Sequence, residues 1–278
     1  MQSMYEEFIQ KFTLLNKTKK ELIVNTLSNI FTMRLVGNKT HGDLAEIGIS
    51  EFINQFMDDY ESKHVGKDLF RAKEHEEDIT VTNKLTKEEL SISLKAYGDG
   101  PLQLSTDKNA ELFPMLKKYG DCITDPDQIN EIFNSSAFLA VKQLNVMPLI
   151  YREKKNQCNI LIFDFSKAMN NTAKIQLIAP GGRRKHPIYA FYDANGNYIC
   201  EVRYGAADAN ALQRGLWTHT KNAFSYFTSA TGGWIDYTPN KQLIELLKLA
   251  LNSTSTGHAT AIKELKEDIK RVQASGKV

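Results

Sequence analysis

The spacing of apolar side chains predicts that the first part of the chain begins with helices. Residues 4–36 carry apolar side chains at helical spacings, with Leu22, Leu27 and Ile30 among them, and read as one or two amphipathic helices. A turn at Gly37 separates them from a further helix over about 42–60. After these, helices are predicted over residues 108–119 and 126–145.

Short apolar segments between these helices predict strands. They occupy residues 79–81, 90–94 and 102–104. From about residue 147 the pattern becomes strand-rich, with strands over residues 149–151, 159–165, 174–178, 188–192 and 198–204. The turn Asp193–Gly196 favours a hairpin between the last two. Helices are predicted over 208–228 and 240–251, and a narrow apolar seam follows at Ile262, Leu265, Ile269 and Val272.

This order of elements predicts an α/β (α+β) fold, with a central mixed sheet flanked by helices. We divide the chain into a catalytic core, residues 1–146, and a strand-rich recognition region with C-terminal helices, residues 147–278. The 278 residues suffice for one large domain or for a catalytic domain with an added subdomain.

Composition narrows the class of protein only modestly. The net charge of +2 does not require a nucleic-acid partner, so such a partner would need local basic clusters. Cys122, Cys158 and Cys200 are odd in number and far apart, which argues against a disulfide framework and favours a reducing, cytoplasmic setting. No run approaches the ~20 apolar residues of a membrane span, and the N-terminus does not read as a signal peptide.

The residues with the clearest catalytic pattern are Asp78, Ser93 and Lys95. Asp78 opens one predicted strand, and Ser93 and Lys95 lie on the next, where strand alternation places them on one face. Phosphodiester hydrolysis needs a carboxylate for a divalent cation, and a group that orients or deprotonates the attacking water. A lysine beside the cation can do the second task, because the cation lowers its pKa.

These residues resemble the PD-(D/E)xK superfamily of nucleases, and type II restriction endonucleases in particular, with an S-x-K variant of the catalytic motif. The pattern departs from the usual motif at Glu77, where proline is usual, and at Ser93, where an acidic residue is usual. The resemblance implies a restriction-endonuclease-like core, a Mg²⁺ cofactor and double-stranded DNA as substrate. It also implies that an acidic residue from the preceding helix assists Asp78.

Glu46 is the candidate for that acidic residue. It lies at helical spacing with Ile49, Ile53 and Phe56 and therefore shares their apolar face, where an unpaired glutamate is unusual. Other interpretations stay open: Asp78 could be a turn residue, Lys95 a solvated strand residue, and Glu46 a boundary residue that reaches solvent. The six histidines show no HxxxH or HExxH spacing, and the chain has no phosphate-binding glycine motif.

Two segments are candidates for DNA contacts. The first is the glycine-flanked basic loop Arg183, Arg184 and Lys185, whose cations suit phosphates. In the second, Arg203 ends a strand and the predicted helix after it carries Asn210, Gln213, Arg214 and Lys221, side-chain types that read base edges or contact phosphates. The basic loop could equally be an exposed turn, and the helix a capped amphipathic helix packed by Leu212, Leu216 and Trp217.

The sequence therefore predicts a Mg²⁺-dependent, sequence-specific double-stranded DNA endonuclease. Asp78 and Glu46 would hold the metal, Lys95 would act on the water, and Ser93 would contact the metal through water or position Lys95. A homodimer is compatible with the sequence. Two alternatives remain at this stage: a structure-specific repair or resolvase nuclease, and a DNA-binding regulator without catalytic activity.

Overall fold

The computed structural model describes residues 3–36, 41–65, 78–98, 100–107, 110–138, 145–182, 184–204, 214–252 and 267. The helices are α1 (Met4–Thr18), α2 (Lys20–Val36), α3 (His41–Phe56), α4 (Leu112–Lys118), α5 (Pro126–Asn134), α6 (Phe165–Asn171) and α7 (Lys241–Asn252). The strands are β1 (Tyr60–His64), β2 (Ile79–Asn83), β3 (Glu89–Tyr97), β4 (Pro101–Ser105), β5 (Cys122–Ile123), β6 (Asn145–Arg152), β7 (Gln157–Phe163), β8 (Thr172–Ile178), β9 (Ile188–Asp193), β10 (Tyr198–Arg203), β11 (Gly215–His219), β12 (Phe227–Ser229) and β13 (Ile235–Asp236).

The strands form two sheets. In the first sheet the order is β1-β2-β3-β6-β7-β12, with β13 also paired to β7, and β3 and β6 run parallel while the other pairs are antiparallel. The second sheet is antiparallel, with the order β4-β11-β10-β9-β8-β5. The prediction of a mixed α/β fold with a mixed sheet is thus confirmed.

The first sheet is buried on its two faces at its centre. Along β7, Cys158, Ile160 and Ile162 belong to the hydrophobic core that the sheet shares with α1, α2 and α3. Leu161 and Phe163 belong to the core that it shares with the second sheet, α4 and α5. Burial on two faces explains why this strand reads as a continuous apolar run instead of an alternating one.

Helix α3 is held close to its neighbour α2. A side chain at Gly48 would place its Cβ 2.6 Å from Cδ1 of Ile30, so the absence of a side chain permits the contact. The same helix contributes Ile49, Phe52 and Ile53, which are fully or almost fully buried, to the core on this face of the first sheet. This packing fixes the position of Glu46, one turn before Ile49.

Several predicted boundaries agree with the structure and others need correction. Residues 4–36 form two helices, and the helix predicted over 240–251 corresponds to α7, Lys241–Asn252. The helix predicted over 42–60 ends at Phe56, because Tyr60 already belongs to β1, a strand that the sequence pattern did not reveal. The helix predicted over 126–145 is interrupted after Asn134, residues 136–138 are helical again, and Asn145 begins β6.

The predicted helix over 208–228 is wrong where the structure describes it. Residues from Gly215 form β11, and Phe227 begins β12. The physical reason is the alternation in β11: Leu216 and Thr218 are buried in the sheet, whereas Trp217 and His219 lie on the opposite face. Residues 205–213 lie outside the described part of the chain, as does the predicted C-terminal seam.

Each sheet draws strands from before and after residue 146. Strands β4 and β5 belong to the second sheet, whereas β6, β7, β12 and β13 complete the first. Position 146 itself falls within β6. None of the described helices has the length and apolar character needed to cross a bilayer.

Candidate active site

The pairing of β2 with β3 brings Asp78 beside Ser93 and Lys95. Ile79 is opposite Ile92 in the antiparallel register, and Asp78 directly precedes Ile79. Oδ2 of Asp78 accepts hydrogen bonds from Oγ of Ser93 at 3.0 Å and from the backbone N–H of Leu94 at 2.6 Å. Nζ of Lys95 lies 3.9 Å from the same oxygen. The structure therefore brings together the three residues that the sequence singled out.

The alternation of side chains along β3 explains why Ser93 and Lys95 are available for such a site. Ile92 and Leu94 are buried in the core beneath α3, so Ser93 and Lys95, which alternate with them, point to the other face. Ser93 is buried, while the side chains of Asp78 and Lys95 keep 21% and 30% of their exposure. A solvent-borne group can thus reach the carboxylate and the ammonium.

Glu46 adds a second carboxylate and brings a partner that sequence analysis missed. Glu46 is 7% exposed, and its Oε2 lies 2.9 Å from Nε2 of His64, the last residue of β1. His64 is opposite Ile79 in the sheet, one residue from Asp78. Glu46 is therefore buried on the apolar face of its helix, as predicted, and it has a partner, as a buried glutamate requires.

The segment Tyr60-Glu61-Ser62-Lys63-His64 carries no apolar alternation that could have revealed His64, because Tyr60 is its only apolar residue. In the structure Tyr60 and Ser62 are buried and Glu61 and Lys63 are exposed, so the alternation is visible only in the folded chain. Neither the pairing of this strand nor the contact of His64 with Glu46 could have been read from the sequence, because residues 65–78 separate β1 from β2.

The electrostatics of the site are dominated by burial of Asp78. Burial raises the pKa of Asp78 above its ordinary value, and the nearby Glu46 carboxylate raises it further. The Lys95 ammonium and the hydrogen bonds from Ser93 and Leu94 act in the opposite direction, and the net shift is upward. Two carboxylates that repel each other in a partly buried site are a setting that a cation would stabilise.

The site offers few protein ligands for a metal ion. Among the described residues, no group of three or more His, Cys, Asp or Glu side chains is arranged to hold an ion. Mg²⁺ is commonly held by one or two protein carboxylates together with waters and substrate phosphate oxygens. Asp78 and Glu46 would be the carboxylates of such a site, and Oδ1 of Asp78 is the oxygen that the hydrogen bonds from Ser93 and Leu94 do not use.

The candidate DNA contacts fall into three groups. Arg184, Lys185 and Arg203 line a cleft of about 820 Å³ on the second sheet, together with Tyr204, Trp217 and His219. Arg214 and Lys221 lie at the two ends of β11, one just before the strand and one in the turn after it. Arg183, Asn210 and Gln213, like Glu77 near the catalytic pattern, lie outside the described residues.

The prediction of a helix that carries Arg214 and Lys221 is wrong here, because Gly215–His219 form a strand. The backbone carbonyl of Arg214 instead accepts a hydrogen bond from Nε2 of Gln103 at 3.0 Å, which ties the start of β11 to β4. Gly215 follows with a φ of +111°, in the region that favours glycine. A side chain at this position would also place its Cβ 2.0 Å from the backbone oxygen of Ser105, so both the conformation and the packing require glycine.

The wall of the cleft contains residues that sequence analysis did not assign. Glu201 is 5% exposed, and it accepts hydrogen bonds from Nε of Arg203 and from the hydroxyl of Tyr198 at 3.0 Å. The Arg203 guanidinium lies over the Trp217 ring at 4.2 Å, and Nε2 of His219 is 3.8 Å from Glu201. Burial lowers the pKa of His219, partly offset by the Glu201 carboxylate.

Comparison of the chain with models of protein families, with curated proteins and with solved structures gave no match.

Proposed function

We propose that the protein is a Mg²⁺-dependent endonuclease that hydrolyses phosphodiester bonds in double-stranded DNA at a specific sequence. The observation that carries the proposal is the contact of Asp78 with Ser93 and Lys95 at one end of two paired strands. The resemblance to PD-(D/E)xK nucleases, with a restriction-endonuclease-like core, implies this arrangement of an acidic residue on one strand and a lysine on the next.

The chemistry assigns a separate task to each side chain. Asp78 and Glu46 would hold Mg²⁺, which when bound lowers the pKa of a water ligand and neutralises charge on the phosphate. Ser93 and the N–H of Leu94 hold the Asp78 carboxylate in place through Oδ2. His64 holds Glu46. In this assignment the buried Glu46 and the partly buried Asp78 are each held by hydrogen bonds before any substrate arrives.

Lys95 is the residue that acts on the reacting groups. Its ammonium, 3.9 Å from Asp78, is partly exposed and can reach a water or a phosphate oxygen. In the reaction, water adds to phosphorus and gives up a proton to solvent, the bond from phosphorus to the leaving sugar oxygen breaks, and that oxygen takes up a proton from solvent. Lys95 orients the attacking water and stabilises the negative charge that develops on the phosphate.

The second sheet supports DNA as the substrate. Arg184, Lys185 and Arg203 line the same cleft, although the total charge of the chain is only +2. Local concentration of cations is the property that binds the phosphate backbone, and a nearly neutral total can conceal it.

Incubation of the protein with a supercoiled plasmid tests the proposal. With Mg²⁺ we expect discrete linear fragments, and with excess EDTA we expect none. The Lys63→Ala variant is a matched control for Lys95→Ala, because Lys63 is an exposed lysine of the same sheet. A smear or random nicks would show that the protein is a structure-specific or nonspecific nuclease instead of a sequence-specific one. Intact plasmid that is nevertheless bound would favour a DNA-binding regulator.

A further inference from the structure

The cleft on the second sheet has a shape and chemistry that the proposed cleavage reaction does not use. Strand register places Glu201 opposite Trp217, and Trp217 opposite Gln103, so these side chains share one face of the sheet. The alternate residues Cys200, Val202 and Leu216 are buried in the core on the other face. The cleft is therefore built on a rigid sheet by residues from β4, β10 and β11.

The size of the cleft sets the size of its ligand. Its volume of about 820 Å³ falls within the range of roughly 300–1,000 Å³ that is usual for pockets binding small molecules. A DNA duplex is too wide to enter such a space, whereas one nucleotide with its base turned out of the stack can do so.

The chemistry of the walls matches the parts of a nucleotide. Arg184 and Lys185 lie on the loop between β8 and β9, where Nη2 of Arg184 bonds the carbonyl of Ala179 at 2.7 Å and the Lys185 side chain is exposed. These cations suit a phosphate. Tyr204 and Trp217 supply aromatic surface, on which nucleobases stack.

Glu201 supplies the group that would discriminate between bases. Its buried carboxylate is held by Tyr198 and Arg203, so it is fixed in position, and a carboxylate accepts hydrogen bonds from the exocyclic amino group of cytosine. The ring of Trp217 lines the same cleft, while its indole N–H is buried and finds no hydrogen-bond partner among the described residues.

We propose that this cleft binds a single unstacked nucleotide, with its phosphate at Arg184 and Lys185 and its base against Trp217, where Glu201 accepts from an exocyclic amino group. The inference rests on the proposed function, because the nucleotide belongs to the DNA substrate. It assigns to the second sheet the reading of one extruded base, rather than contacts along a duplex groove.

Fluorescence of Trp217 gives a direct readout. The chain contains two tryptophans, Trp217 and Trp234, so the Trp234→Phe variant leaves Trp217 as the only indole. This variant is titrated without divalent metal, using dCMP, dUMP, deoxycytidine, inorganic phosphate and a single-stranded 12-nucleotide oligomer containing cytosines. dCMP and dUMP are a matched pair, since the amino group of one is replaced by a carbonyl in the other.

We expect dCMP to change the Trp217 emission and to bind about tenfold more tightly than dUMP, which corresponds to the lower end of the discrimination of a good base contact. Glu201→Gln should reduce that ratio towards one. Lys185→Ala, at an exposed position that does not endanger folding, should reduce the advantage of dCMP over deoxycytidine. The oligomer should compete with dCMP.

Four results would overturn the inference. The first is Trp217 emission that no nucleotide changes, and the second is equal affinity for dCMP and dUMP. The third is inorganic phosphate that binds as tightly as dCMP, and the fourth is binding of dCMP that the oligomer does not inhibit. The last would identify a free mononucleotide as the ligand. Because the titration omits Mg²⁺, its outcome is separate from catalysis: nucleotide binding without plasmid cleavage in Mg²⁺ would refute the nuclease and leave the cleft assignment intact.

Discussion

Replacement of Asp78 by asparagine should stabilise the metal-free protein while abolishing cleavage. The asparagine side chain retains an oxygen that can accept from Ser93 and Leu94, but the substitution removes a partly buried negative charge. The raised pKa of Asp78 shows that the folded state favours the protonated, neutral form of this side chain. A neutral isostere should therefore fit the metal-free site better than the carboxylate does.

The opposing energies decide the size of this effect. At 3.9 Å the attraction between Lys95 and Asp78 amounts to about 4 kcal/mol with an effective dielectric constant of about 20. Solvent screening reduces this value, because the Lys95 side chain is 30% exposed. The cost of burying the Asp78 carboxylate and its repulsion by Glu46 together exceed the screened attraction to Lys95, since the net shift of the Asp78 pKa is upward. We expect a gain of about 0.5–2 kcal/mol, the usual size for a stabilising single substitution.

The dependence on pH provides the assay. A carboxyl whose folded pKa is raised contributes stability that is present below its unfolded pKa, 3.8, and is lost as the pH rises through the folded value. In EDTA at pH 8, the Tm of Asp78→Asn should therefore exceed that of wild type by about 2–4 °C for each kcal/mol of added stability. Near pH 4 the two Tm values should differ little. The control is Asp58→Asn, at an exposed position. Destabilisation of Asp78→Asn at pH 8, or a gain that does not change with pH, would refute this reasoning.

Three further substitutions have distinct expected outcomes. Lys95→Ala should slow cleavage by about 10²–10³-fold, as loss of a positioned charge does, yet retain the gel shift of DNA in Ca²⁺; cleavage within threefold of wild type would show that the site is misassigned. Ser93→Ala, which removes only one of the bonds to Asp78, should slow cleavage by about tenfold or less, and inactivity equal to that of Asp78→Ala would reveal a direct role. Gly215→Ala should cost about 3 kcal/mol or more in urea unfolding, because its Cβ would lie 2.0 Å from the backbone oxygen of Ser105; a loss below about 1 kcal/mol would contradict this.

The part of the site that could be predicted is the part encoded locally. Asp78, Ser93 and Lys95 lie on two strands that follow each other in the chain and pair directly, so sequence spacing and strand alternation suffice to place them. Glu46 could be identified because a charge on the apolar face of a helix is visible in the periodicity. Its contact with His64 could not, since it depends on how α3 packs across β1.

The second sheet shows where local patterns fail. The segment after Gly215 contains residues at spacings of three and four, but its buried residues Leu216 and Thr218 alternate, and pairing with β4 and β10 selects the strand. The cleft depends on the same long-range register. Glu201, Trp217 and Gln103 are distant in sequence and become neighbours only when β10, β11 and β4 are assembled, so no local spacing indicates them.

The most direct test of the central claim is the rate at which the protein cuts supercoiled plasmid in Mg²⁺ when only the carboxylate at position 78 is changed. Wild type, Asp78→Asn and Asp58→Asn are compared at equal concentration, after circular dichroism has shown that all three are folded. We predict discrete fragments from wild type and from Asp58→Asn, none from Asp78→Asn, and none from any of them in EDTA. Cleavage by folded Asp78→Asn at the wild-type rate, or wild-type cleavage that persists in EDTA, would contradict the proposed metal-dependent nuclease.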